Sequence, residues 1–443
     1  MRHILHTVRS HLALAAAASA AVLLAACVDT PARSTAPTAD ASGAVAADAA
    51  TGRARLVAAG EEGRVVQIGE APAALRRRGR AVARADGTIP GSYIVVFRSD
   101  VSDAPGRSRR LATEHGGTLR FTYAGALKGF AADLSENAAA ALRRAPGVED
   151  VEPDRVIRVE GTQVLDATGD LWGLDRIDQR TRPLSRSYTY TGTGAGVRVY
   201  VFDTGLQATH PEFGTRAKVV SSIFGDNGND CNGHGTHVAG IVAGRTFGVA
   251  KGALVRAVKV LGQDCGDEGG SVSGLIAAID WVRINRIDPA VANMSFGGPF
   301  ISGSLIRAVN NLVNSGVFVS VAAGNATDEA CLFSPAATPS AFTVAASTDD
   351  DYWAPFSNWG ACVDAFAPGM RIKSAALGGR TAVMHGTSMA APFVAGVAAL
   401  YKQKYPAATP ATITSWLKSN ATTGKIKGSP DGTPNLLLFK GTL

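Results

Sequence analysis

Three residues of this 443-residue chain, Asp203, His234 and Ser388, are of the types that together can attack a carbonyl carbon. Serine is a poor nucleophile at its own pKa, so a histidine must take its proton and later return it to the departing group. A carboxylate behind the imidazole fixes which ring nitrogen carries hydrogen and stabilises the cation that forms. The run Val197-Arg198-Val199-Tyr200-Val201-Phe202 reads as a strand ending in Asp203-Thr204-Gly205. That places the carboxylate at the carboxyl edge of a parallel sheet, where α/β active sites collect. Taken alone, Asp203 is also an ordinary turn residue. His234 sits in Asn232-Gly233-His234-Gly235-Thr236-His237-Val238-Ala239-Gly240, bracketed by glycines and followed by a helix of small residues that another backbone can approach closely. Ser388 stands in His385-Gly386-Thr387-Ser388-Met389-Ala390-Ala391-Pro392 at the start of a second such helix, where a lone serine is commonly only an N-cap.

The elements that must bring these residues together follow from the pattern of apolar runs. From Trp172 onward, short Val/Ile/Ala-rich stretches alternate with helical ones, as in a mostly parallel sheet covered on both faces. Strands are predicted at Gly196 to Phe202, Leu254 to Val260, Val291 to Met294, Val317 to Ala322 and Ala341 to Ala345, with helices beginning near His234, Ser273, Ser302 and Thr387. Upstream lies a smaller α+β unit of the split βαβ type. It has strands at Tyr93 to Phe97, Thr118 to Tyr123, Leu127 to Leu134 and Val156 to Val159, a helix from Ser108 to His115, and an Ala-rich helix N-capped by Ser135 and stopped at Pro146-Gly147.

Three other chemistries compete for the same residues. Cys231, His234 and His237 have a Cys-x2-His-x2-His spacing that suits zinc, yet glycines flank His234, no HExxH helix occurs, and Ser388 is left unexplained. An α/β-hydrolase esterase needs GxSxG, and here Ala390 stands two residues after the serine. Gly192-Thr193-Gly194-Ala195-Gly196 precedes its strand instead of following it, which excludes a dinucleotide fingerprint.

VFDTG, NGHGTHVAG and HGTSMAAP resemble the three signature blocks of the subtilisin-like serine proteases, and they stand in that family's Asp, His, Ser order. The opening Trp172-Gly173-Leu174-Asp175-Arg176-Ile177-Asp178-Gln179 and the cysteines resemble the proteinase K and aqualysin branch. The α+β unit resembles the family's inhibitor pro-domain. The resemblance implies a subtilisin-like three-layer α/β fold with a mostly parallel sheet, preceded by a small ferredoxin-like α+β pro-domain. It also implies a self-processing serine endopeptidase that acts on protein and peptide substrates through an acyl-enzyme, with its own pro-domain as intramolecular inhibitor.

The same resemblance assigns further residues. Ala322-Ala323-Gly324-Asn325 resembles the oxyanion-hole block, with the Asn325 amide donating beside the Ser388 backbone N–H. One wall of the primary specificity pocket resembles Asn293-Met294-Ser295-Phe296-Gly297-Gly298 and the other Gly270-Ser271-Val272. Neither wall carries an acid, so cleavage after large hydrophobic or aromatic residues is expected. Structural calcium is implied at two sets, Pro339 and Ala341 carbonyls with Asp364, and Asp175, Asp178, Gln179 with Ser185, with no catalytic metal. Four cysteines allow three pairings; the branch implies Cys231 with Cys265 and Cys331 with Cys362.

Residues 1–27 have the layout of a secretory signal peptide, an apolar run behind a basic start, too short to span a bilayer comfortably. It ends in Leu24-Ala25-Ala26-Cys27, which resembles the lipobox of bacterial lipoproteins and points to a lipid on Cys27. Residues 28–88, rich in Ala, Arg, Gly, Pro and Thr, read as a disordered linker. The pro-domain is then expected at 89–160 and the peptidase domain at 163–443. An even count of cysteines beyond Cys27 suits an exported protein, secreted or in the cell envelope. The net charge of +7 is spread along the chain, so no nucleic-acid partner is expected, and a monomer is.

Overall fold

The computed structural model describes residues 65–68, 84, 86–159, 162–164, 171–263, 265 and 269–443. The expected signal peptide with Cys27, most of the linker and the junction at 160–161 lie outside the described residues.

The α+β unit pairs four antiparallel strands in the order Val148–Val159, Thr88–Phe97, Gly129–Asp133, Thr118–Tyr123. Helices α1 (Ala104–Glu114) and α2 (Glu136–Leu142) cover one face. Helix α1 begins before the expected Ser108 because Asp103 caps it, accepting the Gly106 N–H at 2.9 Å, and Pro105 lies in its first turn. Ser135 caps α2 as its sequence predicts, accepting the Ala138 N–H at 3.1 Å. The closing strand is far longer than expected, because it also borders the second domain.

That second domain carries a ten-stranded sheet. Its order is Val66–Gln67, Ala217–Ser222, Leu254–Lys259, Arg198–Asp203, Ala290–Met294, Phe318–Ala322, Phe342–Ser347, Ala365–Pro368, Leu436–Leu437, Thr422–Thr423, parallel except for the last pair. Alternate residues serve opposite faces. Val199 and Val201 join one core with helices α3 (Trp172–Asp178), α4 (His234–Ala243), α7 (Thr387–Lys404) and α8 (Pro410–Asn420). Tyr200 and Phe202 join the other, with α5 (Val272–Asn285) and α6 (Gly303–Asn314). The chain runs outward from strand Arg198–Asp203 to Ala217–Ser222, fills the gap with Leu254–Lys259, then crosses to Ala290–Met294. Strand order therefore reverses beside Asp203, where crevices form in such sheets. The five expected strands are present, while Ala217–Ser222, Ala365–Pro368, α8 and the hairpin Ile372–Ala376 with Arg380–His385 are additions.

The small unit docks on α5 and α6. Ile94, Phe121, Tyr123, Leu127 and Ile157 lie in the same buried cluster as those helices. Its carboxylates cap both: Asp154 accepts from the Ser273 N–H at 3.0 Å, and Glu152 accepts from the Ser302 hydroxyl at 2.6 Å and from Ser304. In the reverse direction, Asp280 on α5 accepts the N–H groups of Ala124, Gly125 and Ala126.

Candidate active site

Asp203 ends its strand fully buried. Its Oδ1 accepts the Thr204 N–H at 2.8 Å and lies 2.7 Å from His234 Nδ1. A carboxylate can only accept, so Nδ1 carries a hydrogen, and in the neutral imidazole Nε2 is then the acceptor. Helix α4 starts at His234 because Gly233 takes a left-handed φ of 104° at its N-cap. Gly235 lets that helix approach: a Cβ there would sit 2.3 Å from Gly205 O and 3.1 Å from the Asp203 Cβ.

Ser388 lies in the first turn of α7, where backbone N–H groups point out of the helix end. Its hydroxyl donates to Ser295 O at 2.9 Å, and His234 Nε2 has no hydrogen-bond partner among the described residues. The hydroxyl is thus turned to Ser295 and not to the imidazole. Ser295 returns the contact, its own hydroxyl donating to Ser388 O at 2.8 Å. Pro392, which lacks an N–H, sits four residues on and leaves that carbonyl without its helical donor. Asn293 Nδ2 in turn donates to Ser295 Oγ at 2.8 Å.

Asn325 follows strand Phe318–Ala322 across Gly324, whose φ is 109°. Its Oδ1 accepts from Thr387 N–H at 2.8 Å and from the Thr387 hydroxyl at 3.0 Å, which fixes the amide plane beside Ser388. Thr387 also accepts the Gly324 N–H at 3.1 Å. Sequence reading missed this anchor, although a threonine immediately before the serine was a visible signal.

The residues expected to wall the specificity pocket lie on two strand edges with the small unit's last strand between them. Gly269, Gly270 and Ser271 pair antiparallel with Arg158, Ile157 and Val156, while Phe296 and Gly297 pair with Val159 and Arg158. Val272 opens α5 directly behind Ser271. Beyond 160–161 the chain pairs again, Thr162 with His385, Gln163 with Met384 and Val164 with Val383. One pairing thus ends at Val159 and the next begins at Thr162, and His234 and Ser388 are themselves buried.

His237 does not join Cys231 and His234 in a metal site, since Cys231 is bonded to Cys265 and the His237 Nε2 lies 3.1 Å from Ile372 O and 3.2 Å from Ala382 O. Burial, with His234 a smaller cause, pushes the His237 pKa down to about 3. An unfolded imidazole takes its proton near pH 6.5, which the folded one refuses until about pH 3. Its contribution to stability is therefore full above about pH 6.5 and falls by about 1.4 kcal/mol per pH unit on acidification. Thermal melting of inactive protein from pH 7 to 4.5 is expected to show a falling midpoint; a level one contradicts this. The second disulfide joins Cys331 and Cys362.

A lysine ammonium stands at one carboxylate of each of the two oxygen sets expected to hold calcium. Asp364 Oδ1 pairs with Lys418 Nζ at 2.5 Å and Oδ2 accepts the Thr343 N–H at 2.8 Å, so a tethered ammonium already stands at that carboxylate. In the other set Asp175 and Gln179 Oε1 converge on Ser185, but Asp178 turns away to Thr189 and to Lys440 Nζ at 3.0 Å. Among the described residues no group of three or more His, Cys, Asp or Glu gathers as metal ligands.

Comparison with known proteins agrees with this geometry. Residues 194–435 match the subtilase family and residues 92–160 the peptidase inhibitor I9 family. An extracellular serine proteinase of Thermus sp. (strain Rt41A) is 44% identical over 375 residues, covering 79% of this chain and 90% of the relative. Alkaline serine exoprotease A of Vibrio alginolyticus is 42% identical, covering 81% of this chain and 68% of the relative. The crystal structure of a cold adapted subtilisin-like serine proteinase matches with a TM-score of 0.58 and 47% identity, over 61% of this chain and 98% of the other.

Proposed function

We propose, since this chain belongs to the subtilase family of serine proteases, that Asp203, His234 and Ser388 are its catalytic triad and that it hydrolyses peptide bonds as a broad endopeptidase. The observation that carries this reading is the 2.7 Å contact from Asp203 Oδ1 to His234 Nδ1, which in a neutral imidazole leaves Nε2 as the acceptor, on a helix that shares a core with the helix of Ser388. Rotation about one side-chain bond takes the Ser388 hydroxyl from Ser295 O towards Nε2. As Oγ bonds to the scissile carbonyl carbon, its proton passes to Nε2. The carbonyl oxygen becomes an oxyanion that the Asn325 amide and the Ser388 N–H stabilise. Collapse breaks the C–N bond, the amine leaves with the Nε2 proton, and water repeats the sequence on the acyl-enzyme.

Asn325→Ala is expected to lower kcat about 10²- to 10³-fold with KM little changed, because the donor acts mainly as oxyanion charge develops. Steady-state kinetics on a peptide amide checks this. A loss confined to KM contradicts the role.

The chain is a zymogen: the I9 inhibitor domain precedes the peptidase. We place the pro-domain at 89–160 and the peptidase at 163–443, with self-cleavage in the stretch from Val159 to Gln163. Support comes from the two ladders, one ending at Val159 and the other beginning at Thr162, on either side of the site. The freed pro-domain then stays as a bound inhibitor until degraded. Substrates take the place of Val156–Val159 between the same edges, main-chain pairing giving affinity without reading sequence. Gly270, Ser271, Val272 on one side and Ser295, Phe296, Gly297 on the other leave an uncharged pocket, which favours large hydrophobic or aromatic residues before the cut. N-terminal sequencing of mature enzyme and a cleavage profile on a peptide mixture test both; a preference for acidic or basic residues there would sink the specificity. Secretion is supported by the relative from Thermus, which is named extracellular.

Subtilases commonly bind structural calcium. In this chain we assign the place of calcium at Asp364 and Asp178 to the Lys418 and Lys440 ammonium groups. Chelation is expected to leave the melting midpoint unchanged, whereas Lys418→Met, which strands a largely buried carboxylate, costs about 1 to 2 kcal/mol after discounting the lysine's exposure. A chelator-induced drop of the wild-type midpoint contradicts the assignment.

A further inference from the structure

A second carboxylate, outside the triad, is hydrogen-bonded to the segments that carry Asp203 and His234. Asp230 is only 8% exposed. Its Oδ1 accepts from the Thr204 hydroxyl at 2.9 Å, the Asn232 N–H at 3.1 Å and the Gly233 N–H at 2.8 Å. Its Oδ2 accepts from the Thr236 N–H at 2.9 Å and the Thr236 hydroxyl at 2.6 Å. Thr204 follows Asp203 directly, and Gly233 and Thr236 flank His234 on α4.

Both hydroxyls act as relays. Because each gives its hydrogen to Asp230, each keeps a lone pair for a backbone N–H: Thr204 Oγ1 accepts from Gly235 at 2.9 Å, and Thr236 Oγ1 accepts from Gln207 at 3.0 Å. One bond therefore runs from the start of α4 to the Asp203 loop and the other from that loop to α4. Five donors converge on one side chain, and only a group that accepts everywhere satisfies them. An asparagine in the same shape must turn its NH2 towards one set of donors, which leaves the Thr236 N–H or those of Asn232 and Gly233 facing another donor. The negative charge also lies at the positive end of a ten-residue helix.

We propose that Asp230 is a positioning residue for the reaction: its carboxylate ties the Asp203 loop to the start of α4 and so keeps Asp203 and His234 at bonding distance while the imidazole gains and loses a proton. Asp230 touches neither the strand edges that hold substrate nor Ser388 in the contacts described above, so its loss acts on proton transfer and not on substrate affinity. A misplacement of about 1 Å in such a pair costs about 100-fold in rate.

The inference rests on the triad reading given above, and its test separates the two. Asp230→Asn, wild type and Ser388→Ala are purified and assayed on one peptide amide. The expected result is a kcat lower by about 30- to 100-fold for Asp230→Asn with KM within about twofold. Activity surviving in Ser388→Ala overturns the triad reading itself. An inactive Ser388→Ala beside an Asp230→Asn kcat within about threefold of wild type, or a loss carried by KM, overturns the positioning role alone. If Asp230→Asn does not accumulate, Thr204→Val and Thr236→Val each remove one relay. Their kcat is expected to fall at least about fivefold at constant KM, with Thr236→Ser recovering half or more of the loss of Thr236→Val. Valine variants that keep full kcat, or a serine variant that recovers nothing, overturn it equally.

Discussion

Alanine at position 388 is expected to lower kcat about a million-fold, a magnitude borrowed from subtilisin, and to leave the precursor uncut. The change removes one oxygen from a fully buried site and the hydrogen bond from Ser388 Oγ to Ser295 O. The brace that holds the helix end is untouched, because Ser295 Oγ bonds the Ser388 backbone carbonyl. Loss of the cut therefore reports lost chemistry and not lost folding. Electrophoresis of purified protein shows the outcome: a single full-length band is expected, and efficient conversion to a shorter form in the pure variant would refute self-processing.

Asp203→Asn is the second large effect, about 10⁴-fold in kcat at pH 7 to 8. Asparagine fits the same space, but its NH2 can face Nδ1 as a donor. The imidazole then places its hydrogen on Nε2, the nitrogen that must receive the serine proton. Geometry survives while the tautomer is wrong. Kinetics on the peptide amide should show KM nearly unchanged; a kcat loss under about tenfold would mean that another group sets the tautomer.

Much of the fold was legible because its central strands are buried and read as short runs that are apolar but for a single residue, Ser320 or Asn293. Phe318–Ala322 and Ala290–Met294 are examples, each buried along its whole length. The triad residues were legible for a different reason. Each sits at an element boundary with glycines or small residues about it, and Gly233 and Gly235 are now seen to be required by a positive φ and by the approach of Asp203. Strand Ala217–Ser222 escaped because Lys218 and the buried Ser221 and Ser222 leave only Val219-Val220 as an apolar run, and α8 because its apolar face is narrow, with Ile413 and Leu417 among polar neighbours. Asp230 could not have been found from its own sequence context. Its donors come from Thr204 as well as from its own loop, and only folding brings that hydroxyl near. The ion pairs at Asp364 and Asp178 were likewise not legible in the sequence. Residue types at matching positions suggested calcium, while Lys418 and Lys440, distant in sequence, supply the opposing charge.

The most direct test of the central claim is to treat the mature enzyme with a fluorophosphonate and map the modified peptide by mass spectrometry. One adduct on Ser388, formed in step with loss of peptidase activity and abolished by prior occupation of the cleft, is the predicted result. An adduct on any other residue at full inactivation, or undiminished peptide hydrolysis with Ser388 fully modified, would contradict the account.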